Sequence, residues 1–190
     1  RVSPSRVLRN VDVWLLAAAF GAFNAAVIGF GTYMPTFLNE QRGLLLAQAS
    51  LLASVPTLIT IFSAPGGGLV SDRIGSRKKP CLIGFALALV TLPLPGVLGL
   101  TGLIVLLVVQ GLVFGLIPTN IFAAAVEAAG DERQSGLAMA MIMVGQNGGT
   151  LLGPAVFGAL TEGVGWVAAF ASLGVVAALG LLAGWLTRGR

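Results

Sequence analysis

Charged residues divide this sequence into long uncharged segments, and the lengths of those segments predict its helices. Four segments are 25 to 29 residues long and a fifth is 47 residues long. They cover residues 13–39, 43–71, 80–126, 134–161 and 163–187. A helix that crosses a bilayer needs about 20 apolar residues. Each shorter segment therefore holds one span, and the longest holds two, divided at Pro93-Leu94-Pro95-Gly96, because paired prolines and a glycine end a helix.

This pattern predicts an all-α membrane protein with six transmembrane helices in a single domain that covers residues 1–190. The spans are expected near residues 13–38, 45–70, 80–95, 101–126, 135–160 and 164–186.

Composition supports a protein of the lipid bilayer. Charged residues make up 9% of the chain, against about 25% in soluble domains, and the mean hydropathy is +0.96. The chain has no histidine and one cysteine, Cys81, which removes the commonest metal ligand and any internal disulfide. It also lacks a phosphate-binding loop and a mid-span pair of acids. We therefore expect no enzymatic activity, no metal and no cofactor.

The basic residues predict the orientation of the helices. Ten of them fall on one side of the six predicted spans, and only Arg42 falls on the other. The ten are Arg1, Arg6, Arg9, Arg73, Arg77, Lys78, Lys79, Arg133, Arg188 and Arg190. Cytoplasmic loops carry an excess of Lys and Arg, so both termini are expected in the cytoplasm. The net charge of +4 thus belongs to a membrane face, and no nucleic-acid partner is expected.

The connection between the second and third predicted spans carries a specific pattern. A glycine precedes an aspartate by four residues, and arginine, a spacer, glycine and a basic cluster follow. The matching positions are Gly68, Asp72, Arg73 and Gly75, with Arg77 and Lys78 at the basic end. This stretch resembles the loop signature of the major facilitator superfamily, G-x-L-a-D-R-x-G-R-R/K, although Ser76 stands where a basic residue is usual.

The resemblance implies that these six residues form a conformational latch. In the family, the aspartate pairs with arginine near the start of the eleventh helix, which on this chain corresponds to Gln134-Ser135-Gly136. Such a latch would hold one state of a transporter and break as its halves rock. The alternative is simple anchoring of basic residues at the cytoplasmic face, which leaves Asp72 unexplained.

Neutral amides are the candidates for contact with a solute, because every acid lies at a span end. They are Asn24, Gln110, Asn120, Gln146 and Asn147. The alternative for each is a hydrogen bond that holds neighbouring helices together. Ser50, Ser54 and Thr57 share one helical face, and for them that structural role is favoured. No mid-membrane carboxylate is present for proton coupling.

The fifth predicted span carries small residues at regular spacing. They are Gly145, Gly149, Gly153 and Gly158, with Pro154 after the third. Such spacing predicts close helix packing, and Asn147 then points to the opposite face. The segment also resembles the family pattern G-x-x-x-G-P-x-x-x-G.

The resemblance implies six helices of a secondary transporter of a small solute, working by alternating access. Its fold would be the inverted 3+3 repeat found in each half of such transporters. Leu107, where an N-terminal half often has arginine, favours the C-terminal half. The partners would be the bilayer, a solute, and either a missing half or a second copy of the chain. A homodimeric transporter and a non-transporting scaffold remain as alternatives, and the expected location is a bacterial inner membrane.

Overall fold

The computed structural model describes residues 5–188, apart from the side chains at positions 5, 6 and 132. Arg1 and Arg190, which contributed to the predicted orientation, lie outside the described residues. Eight α-helices occur in the described part of the chain. They are α1 (Ser5–Leu8), α2 (Val11–Arg42), α3 (Leu46–Ile74), α4 (Lys78–Thr91), α5 (Leu100–Phe114), α6 (Pro118–Ala129), α7 (Glu132–Val164) and α8 (Trp166–Leu186).

Five helical stretches of the described chain are long and apolar enough to cross a membrane. They are Val11–Arg42, Leu46–Ile74, Lys78–Gly96, Leu100–Ala129 and Trp166–Leu186. The longest helix, α7, has 33 residues, but the polar centre formed by Gln146, Asn147 and several glycines lowers its hydropathy. The described part of the chain is therefore that of a helical integral membrane protein. Part of the surface of α7, its most polar long helix, must be covered by something other than lipid.

The fourth predicted span consists of two helices. Helix α5 ends at Phe114 and α6 begins at Pro118. Proline has no N–H, so the carbonyl of Phe114 loses its helical partner, and the helix breaks there. Side chains satisfy two neighbouring carbonyls: Thr119 donates to Gly115 at 3.2 Å and Asn120 donates to Leu116 at 2.7 Å.

The helices pack in pairs that fit an inverted repeat. The largest interface joins α2 to α7, and the other large ones join α2 to α8, α3 to α5, and α4 to α8. In terms of spans, the first packs on the fifth and the sixth, the second on the fourth and the third on the sixth. Exchanging the first three spans with the last three converts the first–fifth pair into the second–fourth pair and keeps the third–sixth pair. The first–sixth pair corresponds to the smaller contact between the third and fourth spans. This is the symmetry of two inverted three-helix units.

Helices α2 and α7 approach each other backbone to backbone. A Cβ atom built at each of three α7 glycines would lie against a carbonyl oxygen of α2. The pairs are Gly145 with Ala17, Gly149 with Gly21, and Gly153 with Ala25. Further along α7, a Cβ at Gly158 would meet the hydroxyl of Tyr33. Only small residues at these positions permit this distance between the two helix axes.

Much apolar surface remains uncovered within this bundle. Only 11% of the most apolar stretch of α3 is buried, against 56% for α2. Phe62 on α3 is 81% exposed and Leu151 on α7 is 75% exposed. Lipid or another protein body must cover these faces.

We predict that Gly149→Leu prevents the α2–α7 contact. A leucine there would collide with the Gly21 carbonyl, and such overpacking costs about 3 kcal/mol or more where backbone cannot move. Gly148→Leu is the matched control, because a Cβ at Gly148 meets nothing within 4 Å. Unfolding of both variants in detergent would show a large loss of stability for Gly149→Leu alone. Equal stability of the two would contradict the interface.

Candidate functional site

Arg77 is the centre of an ion-pair network at the end of the bundle where α2 begins and α8 ends. Its Nη1 lies 2.5 Å from Oδ1 of Asp72, and its Nε donates to Oε1 of Glu127 at 3.1 Å. Nη1 also donates to the hydroxyl of Ser71 at 2.5 Å. The hydrogen bonds to Glu127 and then to Asp72 raise the pKa of the Arg77 guanidinium. The group therefore stays charged and connects the α3–α4 turn to the end of α6.

A glycine turn places Arg77 beside Asp72. Helix α3 ends at Gly75, whose φ of +66° lies in the left-handed region that favours glycine. The N–H of Gly75 donates to the Asp72 carbonyl at 3.3 Å, and the N–H of Ser76 donates to the Ser71 carbonyl at 3.2 Å. These two bonds close the turn, so Arg77 folds back over the last turn of α3.

A neighbouring helix approaches α3 closely at Gly67, and not at Gly68 of the sequence motif. A Cβ built at Gly67 would lie 2.7 Å from the Gly115 carbonyl oxygen, whereas one at Gly68 meets nothing within 4 Å. The two positions differ by about 100° around the helix, and the first one faces the α5–α6 break. Within the described residues, Gly68 contributes its carbonyl, which accepts a hydrogen bond from Ser71 at 2.9 Å.

The other basic residues of the motif have different surroundings. The Nζ of Lys78 donates to the carbonyls of Trp185 at 2.7 Å and Thr187 at 2.5 Å, so it satisfies the end of α8. Arg73 is exposed and forms no hydrogen bond or ion pair with the described residues. Asp72 and Glu127 each expose 58% of their side chains.

The expected proximity of Asp72 to Gln134-Ser135-Gly136 stays a prediction. Helices α3 and α7 share no large interface among the described residues, and both pack on α2. The sequence did not predict the role of Glu127, whose side chain accepts a hydrogen bond from Arg77 at the end of α6. Its only signal in the sequence was an isolated acid at a span end.

Three of the five candidate amides lie inside the bundle, at separate places. Asn24 is 7% exposed and donates to the Phe20 carbonyl of its own helix at 2.8 Å. Gln110 is fully buried and donates to the Thr91 carbonyl at 3.3 Å. Asn120 is 1% exposed and lines a cavity of about 350 Å³ at the end of the bundle near Arg77. Among the described residues no hydrogen bond joins any two of these three amides, and only Asn120 lines this cavity.

The remaining two amides lie on the outer surface of α7. Gln146 is partly buried and Asn147 is exposed, while Gly149, two residues further on, is buried against α2. The glycine stripe thus fixes the rotation of α7, and Asn147 lies on the opposite face.

A groove that the sequence did not predict runs between α2 and α3. Its inner part is a cavity of about 400 Å³ that reaches Phe114 and Pro118 at the α5–α6 break, and its outer part is a cavity of about 370 Å³. The two parts share five lining residues and are continuous. The shared residues are Val27, Ile28, Gly31, Ala53 and Thr57. We refer to both parts together as the α2–α3 groove; no charged residue lines it.

Hydroxyl groups supply the polar lining of the α2–α3 groove. They belong to Thr32, Ser50, Ser54, Thr57 and Thr60. Sequence reasoning favoured hydrogen bonds between helices for Ser50, Ser54 and Thr57. In the structure, Ser54 donates within its own helix, and Ser50 and Thr57 form no hydrogen bond with the described residues.

Known proteins that are similar to this chain include membrane transporters. The model of the Major Facilitator Superfamily matches residues 15–190. The hexuronate transporter of Bacillus subtilis (strain 168) is 26% identical over 89% of this chain and 45% of its own length. A "Probable galactarate/D-glucarate transporter GudP" of Escherichia coli (strain K12) is 35% identical over 35% of this chain and 17% of its own length.

A solved structure shares the fold. The crystal structure of the peptide transporter POT in complex with sulfate superposes on 99% of this chain with a TM-score of 0.84 and 17% sequence identity. The match covers 42% of that protein. This chain therefore spans less than half the length of the proteins it resembles.

We predict that the Arg77 network contributes little to stability. Glu127→Gln removes one exposed ion pair, and such pairs contribute about 1 kcal/mol or less. Membrane insertion and the unfolding free energy of Glu127→Gln should match those of Glu162→Gln, a control at an exposed acid on α7. A loss of several kcal/mol for Glu127→Gln alone would show that the network is a structural anchor.

Proposed function

Because the chain belongs to the Major Facilitator Superfamily, we propose that it forms one six-helix half of a secondary transporter. In this proposal the complete transporter moves a small solute across a membrane by alternating access. The family match over residues 15–190 is the observation that carries it.

The proposal requires a second six-helix body against this one. The relatives are more than twice as long as the matched region, and α3 buries only 11% of its most apolar stretch here. The second body is a further part of a longer protein, by the C-terminal-half interpretation of the sequence, or a second copy of the chain. It would cover the face that α3 and α7 leave open, and the solute path would run between the two bodies.

In this proposal the solute path runs along surfaces that the second body would cover, which include Asn147 and Gln146 on α7 and the α2–α3 groove. An amide that faces lipid in mid-membrane costs several kcal/mol if unsatisfied, so the exposed Asn147 requires a polar environment. Asn24 and Gln110 lie in the core, where Gln110 bonds the Thr91 carbonyl at the end of α4 and Asn24 bonds its own helix. Asn120 lines a different cavity near Arg77.

The Arg77 network is proposed to act as the latch. Its ion pairs are exposed and weak, so they can form and break at little cost as the bodies move. Arg77 holds the turn against α6, and the Asp72 carboxylate stays accessible to the second body. The basic cluster around the turn supports a cytoplasmic location for this end of the bundle and, in this proposal, for both termini. Because the relatives are bacterial, the proposed location is the bacterial inner membrane.

The proposed solute is a hydroxylated organic acid. The printed names of two relatives specify hexuronate and galactarate or D-glucarate, which all carry several hydroxyls and at least one carboxylate. Charged residues lie at the ends of the described helices, away from the α2–α3 groove. A cation that binds the carboxylate, and any carboxylate that carries a coupling proton, would therefore come from the second body.

Uptake into vesicles tests the function. We expect the full-length protein, reconstituted in liposomes, to take up labelled galactarate or D-glucuronate faster than liposomes without protein. The reason is that alternating access carries a polar solute across an otherwise impermeable bilayer. Absence of uptake for every solute tried, with the protein inserted and folded, would favour a scaffold.

Asn147 tests the position of the path. We predict that Asn147→Ala folds and inserts normally but changes the KM for the transported solute by about three- to tenfold, because one hydrogen bond is lost. Ser172→Ala is the control, because the Ser172 hydroxyl donates to the Ala169 carbonyl of its own helix, α8. A cysteine at position 147, in a background without Cys81, should react with a water-soluble thiol reagent. Resistance to the reagent in every transport state would remove Asn147 from the path.

A further inference from the structure

We propose that the hydroxyl groups of the α2–α3 groove bind the hydroxyls of the solute, with Thr57 and Ser54 as the residues that determine this specificity. The inference rests on the proposed transport function and assigns this part of the recognition to the present chain.

The hydroxyls form a ladder along one face of α3. Ser50, Ser54 and Thr57 follow each other at intervals of four and three residues, which places them within about 60° of one another around the helix. At a rise of 1.5 Å per residue, the ladder is about 10 Å long. Thr32 faces it from α2 across the outer part of the groove. A solute in the groove would therefore meet hydroxyls from two helices.

These hydroxyls are available for a ligand. Ser50, Thr57 and Thr32 are exposed and make no hydrogen bond with the described residues. The Ser54 hydroxyl donates to the Leu51 carbonyl at 2.7 Å, which leaves its oxygen free to accept. A hydroxyl both donates and accepts, so this lining suits a ligand with hydroxyls of its own.

Neighbouring hydroxyls on α3 show the contrasting, structural arrangement. Thr60 and Ser63 donate to the Gly111 carbonyl at 3.1 and 2.7 Å and join α3 to α5. The same helix thus uses one set of hydroxyls for packing and leaves another set open. Position on the helix separates them, because Ser63 lies on the α5 side and the ladder lies on the α2 side.

The inner end of the groove adds apolar surface. Phe114 and Pro118 line it at the break between α5 and α6. Phe23 and Phe30 supply ring surface for the C–H face of a hydroxylated carbon chain. With no charge in the lining, the groove distinguishes solutes by their hydroxyls and leaves the carboxylate to other residues.

A matched pair of solutes tests the assignment. Galactarate and adipate are six-carbon dicarboxylates, and only galactarate carries hydroxyls on its four inner carbons. We expect the full-length protein in liposomes to take up galactarate faster than adipate. Thr57→Val keeps the shape of the side chain, removes the hydroxyl and should lower galactarate uptake about three- to tenfold, with adipate uptake unchanged. Adding Ser54→Ala should reduce the preference further.

Thr161→Val is the control, because the Thr161 hydroxyl donates to Phe157 on α7, away from the groove. An unchanged preference in the Thr57→Val protein would overturn the proposal. An equal loss for both solutes would overturn it too, because it would indicate that the groove packs against the second body. Uptake of other solutes without a preference for galactarate contradicts the hydroxyl assignment alone, whereas absence of all uptake contradicts the transport function.

Labelling gives a readout that does not depend on transport. A cysteine at position 57, with Cys81→Ser, should react with a water-soluble maleimide, and galactarate should slow the reaction while adipate should not. Equal rates with both solutes would place the solute elsewhere.

Discussion

The contact of α2 with α7 determines most of what the rest of the bundle can do. In a bilayer, lipid tails solvate apolar side chains as well as other helices do, so helices associate through close packing and hydrogen bonds. Gly145, Gly149 and Gly153 let the two backbones touch. The contact fixes the rotation of α7, and with it the exposed position of Asn147. A polar residue in mid-membrane is thus a consequence of a glycine stripe on the other side of the same helix.

Helix α3 packs closely on α5 at one side and leaves a groove to α2 at the other. On one side, Gly111 and Gly115 let α5 approach, and a Cβ at Gly115 would meet the backbone of Ser63 at 2.6 Å. The hydroxyls of Thr60 and Ser63 then bond the Gly111 carbonyl. On the other side, α3 stands apart from α2, and the groove opens between them. Glycine and hydroxyl-bearing residues thus close the α3–α5 interface, and the same two kinds of residue line the α2–α3 groove.

The sequence predicted the architecture because charge is excluded from lipid at a cost of about 2.5–3.5 kcal/mol per residue at a helix centre. That cost makes the positions of the long helices readable from the spacing of the charges. The Gly145-Gly149-Gly153 stripe was readable because close helix packing requires small residues at four-residue spacing. The partner of Arg77 was not readable, because Glu127 lies 50 residues away and only the packing of α6 beside α4 brings it near. The close approach at Gly67 rather than Gly68 depends on helix rotation, which spacing alone does not define. The groove was missed for a similar reason, since Thr57 and Ser63 look alike in sequence and differ only in the helix they face.

The strengths of these contacts separate rigid parts from movable ones. The glycine interfaces bring backbone against backbone. Opening them would lose this close packing and, between α3 and α5, the hydroxyl hydrogen bonds to the Gly111 carbonyl. The Arg77 network, by contrast, exposes both carboxylates and exchanges protein partners for water at little cost. Strain imposed on the bundle by a second body would therefore break the network before it separates α2 from α7 or α3 from α5. Under the proposed mechanism, the helices of this bundle therefore move as one unit, and the α3–α4 turn is the place where the movement is controlled.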